Sequence, residues 1–367
     1  MLPKYAHHFT LQDYAHAKLG FFRDYAPKVS RLLEGLTGYS FAHLLHSGRS
    51  CLSLTFAYLN FPQGSYVALP VNTCEVVVEV ILAHKLIPLF VDVNENLTLD
   101  VADLEKKSRG KQVRAVIAVT AFGNSYDKNK LNSFVRTHNA ILIEDKAQTV
   151  SFQKNPQAFC SFFSLDMAKY VSTIKGGVLL TNDKAFAAFV DNKAAKHPRG
   201  FSTLVSLIAF STLTAPVVYS VLTKKISGLL KSQLFYAPKH SRLSGVATGL
   251  LHSQFRRIRT EKLSRKKFIE AVQKKYPQHL LNNNPEDNLM ILLKFPHEED
   301  VALFAHRSFV DLPQQPPLLT HVAKYKPYWS PCPVAEDLIP RVVLIPTYAR
   351  MRKRLQKLYE LLDISLL

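Results

Sequence analysis

Lys169 stands in the run Phe163-Ser164-Leu165-Asp166-Met167-Ala168-Lys169, ahead of the glycine pair Gly176-Gly177 and the apolar stretch Val178-Leu179-Leu180. Upstream, the strand-like Ala140-Ile141-Leu142-Ile143 runs into Glu144-Asp145-Lys146-Ala147-Gln148. An aspartate at a strand end, followed by a lysine on a turn after a serine, is the minimum kit for pyridoxal 5′-phosphate chemistry. The lysine supplies an imine nitrogen, the carboxylate keeps a pyridine nitrogen protonated, and the ring then accepts an electron pair. Neither residue means much alone. A third element strengthens the pair: Ser47-Gly48-Arg49-Ser50-Cys51-Leu52 opens a helix with a glycine and small polar residues, leaving backbone N–H groups and the helix dipole to hold a phosphate. Many helices start with Ser-Gly merely as a cap, so the segment is informative only in this company. Ser164 is a candidate further phosphate donor, and Arg49 a source of charge.

These groups need a frame that brings distant segments to one edge. Between Ser50 and Asp183, short apolar strands alternate with amphipathic helices. Strands are expected at 66–69, 87–91, 115–119 and 141–143, and helices at 50–59, 75–84, 99–107 and 128–138. Such alternation predicts an α/β fold with a mostly parallel sheet covered on both faces. Ligands in these sheets sit beyond the carboxyl ends of the strands, where Asp145 falls. Downstream, one long basic helix is expected over 245–275, then a smaller α/β lobe with strands at 290–295 and 342–345 and a last helix near 350–362. The Pro-rich 312–318 reads as an extended loop. The domain division expected is a large cofactor-binding lobe, 1–240, with an apolar insertion at 201–223, and a small C-terminal lobe, 241–367, that includes its linking helix.

Composition narrows the classes. A chain of 367 residues with 47% hydrophobic and 20% charged residues is globular rather than disordered. The four cysteines, Cys51, Cys74, Cys160 and Cys332, form no Cys-x-x-Cys pair, and the histidines show no ligand spacing, so neither a disulfide framework nor a metal site is expected. The first eight residues carry no apolar core of signal-peptide length, which leads to a cytoplasmic expectation. A formal net charge of +19 favours anionic partners. Fourteen Lys or Arg against two acids lie between Lys224 and Lys275. Nucleotide diphosphates or acidic lipid fit this charge better than nucleic acid, for which no recognition signature is present. The segment from Phe201 to Thr223 holds 23 uncharged residues. Eight are Ser or Thr and Pro216 interrupts them, so buried or dimer-packing helices are the first reading. A peripheral contact on the inner membrane face is the second and a bilayer span the third.

Taken together these segments resemble the DegT/StrS family of sugar aminotransferases, over nearly the whole chain. The family's Ser-Gly-Thr-Ala-Ala-Leu is matched by Ser47 to Leu52, its Pro-Val-Phe-Val-Asp by Pro88 to Asp92, and its Tyr-Gly-Asn turn by Phe122-Gly123-Asn124. Its Glu-Asp-x-Ala-Gln is Glu144 to Gln148, and its serine lies five residues before the lysine, as Ser164 does. Cys332 to Glu336 and Leu344 to Thr347 also look like family segments. The resemblance implies the fold-type I pyridoxal-phosphate transferase architecture, a homodimer, glutamate as amino donor and a nucleotide-linked keto-sugar as acceptor. It implies that Lys169 links the cofactor and moves protons, that Asp145 pairs with the ring nitrogen, and that Gln148 lies near the ring. Ser164, Gly48, Arg49 and Ser50 would hold the phosphate, and Cys74 aligns with the family's aromatic stacking residue. Arg242 and Ser244 fit an Arg-Met-Ser segment, but His240 and Ser241 replace the upstream asparagine region. Thr120 stands for a frequent histidine, and Lys146 and Lys175 add positive charge that would suit a more anionic substrate. The departures keep two alternatives open: a catalytically weakened member with an assembly or regulatory role, and a sugar dehydratase. Relatives of the dehydratase kind usually carry histidine in place of the lysine.

Overall fold

A computed structural model describes residues 9–149, 151–167, 169–195, 198–215, 218, 238–308 and 317–365. In chain order the main elements are α1 (Leu11–Gly20), α2 (Ala26–Thr37), β1 (Phe41–Leu45), α3 (Gly48–Leu59), β2 (Tyr66–Pro70) and α4 (Glu75–Ala83). They continue with β3 (Ile87–Val91), α5 (Val101–Ser108), β4 (Val113–Val119), α6 (Lys128–Thr137), β5 (Ile141–Asp145), β6 (Ala158–Ser164), β7 (Gly177–Thr181) and α7 (Lys184–Lys193). Then come α8 (Phe201–Leu213), α9 (Gly245–Arg256), α10 (Ile258–Lys275), β8 (Met290–Lys294), α11 (Glu298–Arg307), α12 (Pro333–Leu338), β9 (Val342–Pro346), α13 (Ala349–Arg352) and α14 (Leu355–Ser365).

The first seven strands form one sheet in the order β1-β7-β6-β5-β4-β2-β3. Strands β3, β2, β4, β5 and β6 run parallel, whereas β7 is antiparallel to both β6 and β1. Their apolar residues are buried on both faces, which is why β4 and β7 read as continuous apolar runs. The reversal at β7 matters for the site. It turns the start of β7 and the ends of β1 and β6 to the same edge as the carboxyl ends of β2, β4 and β5.

The expected strands are present: β2, β4, β5 and β9 run one or two residues longer, β3 has the expected bounds, and β8 stops one residue earlier. The antiparallel edge, β1 with β7, was outside the sequence expectation, because β1 and its flanking helices α1 and α2 precede the first regular alternation. The single helix expected over 245–275 is two helices. Arg257, between α9 and α10, has φ −110° and ψ 7°, and its guanidinium is drawn to the buried carboxylate of Asp13 at 2.5 and 2.6 Å. The last helix likewise divides into α13 and α14. The second sheet is the antiparallel pair β8–β9. It is joined to the first by a shared core in which Leu292, Val342 and Leu344 pack with Leu52, Phe90 and Ile117. The extended loop expected at 312–318 lies outside the described residues except for 317 and 318, as do 219–223 of the apolar segment and 224–237 of the basic one. No helix among the described residues is long and apolar enough to cross a membrane.

Candidate active site at the carboxyl edge of the sheet

Asp145 is the last residue of β5, paired in register with Val119 and Phe162, and is 4% exposed. Its carboxylate accepts one hydrogen bond, from the Ala147 N–H at 2.8 Å. Burial pushes its pKa from the ordinary 3.8 up to about 6, against the pull of that N–H and of the Lys169 ammonium. A buried carboxylate with a single donor lacks partners for its remaining lone pairs, and a cationic ring nitrogen would supply the missing one. The Lys169 charge lowers the Asp145 pKa slightly against the larger effect of burial.

Lys169 lies in a loop, Leu165 to Gly176, that is closed at its base and pinned at its middle. The Leu165 N–H donates to the Gly176 carbonyl at 2.8 Å and the Thr173 N–H to the Leu165 carbonyl at 2.9 Å. Gln254 of α9 clamps Ser172 on both sides, accepting its N–H at 3.0 Å and donating to its carbonyl at 2.6 Å. Tyr170 is buried beneath the Arg265 guanidinium, 4.2 Å from its ring centroid. Neighbours so fixed restrict where the Lys169 side chain reaches. Sequence reasoning missed Gln254 and Tyr170, since both act from positions with no motif of their own.

The phosphate cradle is backbone against backbone. Ser164 ends β6 opposite Gly177 of β7, and β7 runs directly under the start of α3. A Cβ on Gly177 would meet the Ser47 carbonyl oxygen at 2.5 Å and the Gly48 nitrogen at 2.7 Å, so only glycine fits. A Cβ on Gly48 would reach the Ser164 Cβ at 3.6 Å, which sets the serine beside the helix start. Ser47 caps α3 by accepting the Ser50 N–H at 3.1 Å. The Ser50 hydroxyl is 2.8 Å from the Lys239 carbonyl, to which it donates, and 2.9 Å from the Ser47 hydroxyl. Ser50 therefore holds the 238–242 segment to the cradle with its side chain. His46, one residue before the cap, is kept neutral by burial and by the nearby charges of Lys175, Lys239 and Arg49, all of which lower its pKa.

Gln148 reaches the turn after β4. Its side-chain carbonyl accepts the Phe122 N–H at 2.8 Å, where Phe122 has φ 54°. The turn is held from behind by Asn288, which donates to the Phe122 carbonyl at 3.0 Å. Thr120 donates its N–H to the Asp145 carbonyl at 3.0 Å. Cys74 caps α4 just past β2 and is exposed at the same edge. Next to it, the Asn72 side-chain oxygen and the hydroxyls of Thr73 and Thr320 are buried without a hydrogen-bond partner, at 3%, 1% and 7% exposure. The Leu319 N–H donates to the Val71 carbonyl at 2.9 Å, which places the Thr320 segment alongside the Asn72 one. Unpartnered buried polar atoms carry a desolvation cost, so their clustering at the site mouth marks a place for a polar ligand.

Other expected residues lie elsewhere. Lys146 points to the opposite face of β5 from Asp145, following the strand's alternation. It is 2% exposed, 3.1 Å from Glu144 and 2.6 Å from the Gln153 carbonyl. Glu144 also accepts from Tyr126 at 2.7 Å and Ser161 at 2.6 Å. Lys146 is thus part of a buried ion network and adds no charge for a substrate. Arg242 pairs with Asp191 at 2.9 Å and Ser244 caps α9. Apart from these, Tyr325 is buried and donates to Glu79 at 2.6 Å, which ties the 323–328 segment to α4. Asp92, at the end of β3, accepts the Val334 and Ala335 N–H groups at 2.9 Å each and caps α12. All four cysteines are free, and no group of three or more potential metal ligands occurs among the described residues.

Comparison with known proteins agrees with this geometry. GDP-perosamine synthase of Escherichia coli O157:H7 is 28% identical over 167 residues, 44% of this chain and 46% of that protein. The UDP-N-acetyl-3-dehydro-alpha-D-glucosamine 3-aminotransferase of Acidithiobacillus ferrooxidans is 28% identical over 198 residues, 50% of this chain and 53% of that protein. These matches span about half the length of the curated relatives. Two solved structures share the fold at 14% identity. Helicobacter pylori PseC, an aminotransferase of pseudoaminic acid biosynthesis, gives a TM-score of 0.74 with 99% of this chain and 98% of that one covered. The putative sugar aminotransferase Spr1654 of Streptococcus pneumoniae, in its pyridoxamine phosphate form, gives 0.76 with 100% and 99% covered. Residues 24–359 match the model of one family throughout, and the chain belongs to the DegT/DnrJ/EryC1/StrS aminotransferase family.

Proposed function

We propose that the protein is a pyridoxal 5′-phosphate-dependent aminotransferase that transfers an amino group, with glutamate as donor, to the keto carbon of a nucleotide-linked sugar. The observation that carries this reading is a buried Asp145 carboxylate with one N–H donor, at the sheet edge where Gly177 lets β7 close on the Ser47-Gly48 backbone at the start of α3. The residues fit the cofactor. The buried Asp145 carboxylate accepts one N–H and has lone pairs left for a ring nitrogen, Gly177 lets β7 approach the start of α3, and Ser164 stands beside Gly48 there.

When bound, the cofactor supplies an electron sink for the bond-breaking at the amino-bearing carbon. Every other task falls to the chain. Ser164, Gly48 and Arg49 bind the phosphate, and Ser50 does so indirectly by holding the 238–242 segment. Asp145 keeps the ring nitrogen protonated through an ion pair made strong by burial. Gln148, its carbonyl held by Phe122, has its amide nitrogen left to donate toward the ring. Lys169 would link the cofactor and would move a proton as base and acid. Cys74 would stand beside the ring, in the place the family gives to a stacking aromatic. Asn72, Thr73 and Thr320 offer the polar contacts that sugar hydroxyls require.

We place these groups mainly on the large lobe of residues 1–240, with 241–367 closing the site through the Thr320 segment. A cytoplasmic homodimer serving surface-polysaccharide or amino-sugar biosynthesis is consistent with the free cysteines and with the relatives' names. The test is glutamate-dependent turnover across a panel of nucleotide-linked keto-sugars, with Lys169→Ala as control. Turnover lost in the variant supports the assignment. A purified protein that neither gains an absorbance band near ~400–430 nm with added cofactor nor turns over any sugar refutes it.

A further inference from the structure

Helix α8 presents the wrong chemistry to water. It carries no charge, and of its thirteen residues only Leu207 is fully buried. Phe201, Val205 and Ile208, spaced by four and three positions on one face, are 69%, 50% and 54% exposed. Leu213 is 37% exposed. A surface helix of a soluble protein normally turns its polar side outward. The inner face is apolar too, since Leu204, Leu207 and Phe210 pack with Phe9, Val246 and Leu250.

Helix α1 repeats the pattern beside it. Phe9 and Phe210 meet edge to face at 6.4 Å, and both helices lie on α9, which Gly20, Gly245 and Gly249 allow α1 to approach closely. The two helices are thus neighbours over α9, each with an apolar face exposed. On α1 that face carries Leu11 and Leu19, with Phe22 just beyond the helix, at 89%, 50% and 81% exposure. The charges around the patch are basic. Arg199 precedes α8, Arg350 donates to the Thr214 carbonyl at its far end at 3.1 Å, Lys18 lies in the last turn of α1 and Arg23 just beyond it. The one acid of α1, Asp13, is buried against Arg257. Asp24, exposed beside Arg23, is the acid nearest in sequence and keeps its charge while accepting the Ala26 N–H; against Lys18, Arg23 and Arg199 it leaves the rim net basic.

We propose that the outer faces of α1 and α8 dock on an anionic lipid surface, with the apolar side chains entering the headgroup boundary and Lys18, Arg23 and Arg199 meeting the phosphates. Charge decides between this occupant and a second copy of the chain. A two-fold contact sets a patch against itself, so a basic rim would face a basic rim. An anionic bilayer offers the opposite sign. Contiguous apolar exposure of this kind marks an interaction surface rather than ordinary scatter.

The test is flotation of the full-length protein with vesicles of phosphatidylcholine alone and of phosphatidylcholine mixed with phosphatidylglycerol. Binding is expected to the mixed vesicles and to fall with salt. The triple variant Phe201→Ser, Val205→Ser, Ile208→Ser should weaken it by about tenfold or more. Lys18→Glu with Arg23→Glu should remove the preference for anionic lipid. Circular dichroism and melting temperature, unchanged in both variants because the side chains are exposed, keep a folding defect apart from a docking defect. Wild-type protein that floats with neither vesicle, or a triple variant that floats as well as wild type, overturns the proposal. A triple variant that turns a dimer into monomers by light scattering also overturns it, because the face would then pair protein with protein.

Discussion

Replacing Asp145 with asparagine should stabilise the empty protein and cripple it as a cofactor binder. Burial raises this carboxyl from 3.8 to about 6, so at neutral pH the fold holds a charge it disfavours. At about 1.4 kcal/mol per pH decade the cost is roughly 3 kcal/mol. The sign follows from linkage. A carboxyl whose pKa is raised by folding binds its proton more tightly in the native state than in the unfolded chain. The cofactor-free protein is therefore expected to lose stability as pH rises from about 4 to about 6 and to stay at the lower level above that, as far as this group is concerned. Asparagine keeps the acceptor for the Ala147 N–H at 2.8 Å and removes the charge. Near pH 7.5 the cofactor-free variant should then melt higher than wild type by on the order of 4 °C, given the entropy of unfolding expected for a chain of this length. Near pH 5 the difference should fall to about half, and it should approach zero only near pH 4 and below. Cofactor affinity and turnover should move the other way, because the ring nitrogen loses its anionic partner; a loss of several kcal/mol in transition-state stabilisation is ordinary for such a group. Differential scanning fluorimetry of stripped protein across that pH range, paired with cofactor titration, measures both arms. An asparagine variant that melts lower than wild type at neutral pH while keeping its cofactor affinity would show that Asp145 is a structural residue and not the ring's partner.

Three further substitutions probe the frame around that pair. Lys146→Met should destabilise the protein by about 3–5 kcal/mol, because it strands Glu144 in the interior; urea unfolding measures it, and a change under about 1 kcal/mol would mean Glu144 is neutral there. Gly177→Ala drives a methyl into the Ser47 carbonyl and should cost about 1–3 kcal/mol along with most of the cofactor affinity, so a variant that binds cofactor normally would remove the cradle from β7. Cys74→Phe restores an aromatic at the ring face and should tighten cofactor binding by about two- to tenfold, read from fluorescence titration of the stripped protein. Unchanged or weaker binding would place Cys74 away from the ring.

The frame was legible where local physics and tertiary need agree. Strands β2 to β5 are short apolar runs between amphipathic helices, and a parallel sheet buried on both faces asks for just that pattern. Legibility failed where a single distant contact decided the outcome. Nothing between Gly245 and Lys275 announces a break, since no proline is present and helix formers dominate the second half. The chain turns at Arg257 because a guanidinium there reaches Asp13, 244 positions earlier. The antiparallel edge was hidden for a similar cause. Strand β1 is five residues long, and its partner β7 comes more than 130 positions later, so no local signal ties them.

The site divides along the same line. Residues proposed to meet a ligand through fixed chemistry, Lys169, Asp145 and the glycines, announce themselves by type and order. Residues that aim them do not, because any side chain of suitable length can supply a hydrogen bond to a loop. Gln254 clamps Ser172 from α9, and Asn288 steadies the Phe122 turn that holds Gln148. Lys146 shows the reverse error. In sequence it adjoins Asp145 and looks like added charge for a substrate. On a strand, neighbours point to opposite faces, so one step along the chain moves a cation from the site into a buried network with Glu144. Charge read from sequence near a strand end therefore belongs to the site only at alternate positions. By that rule Glu144 and Lys146 go to the network, and of the three only Asp145 stands on the face proposed for the cofactor.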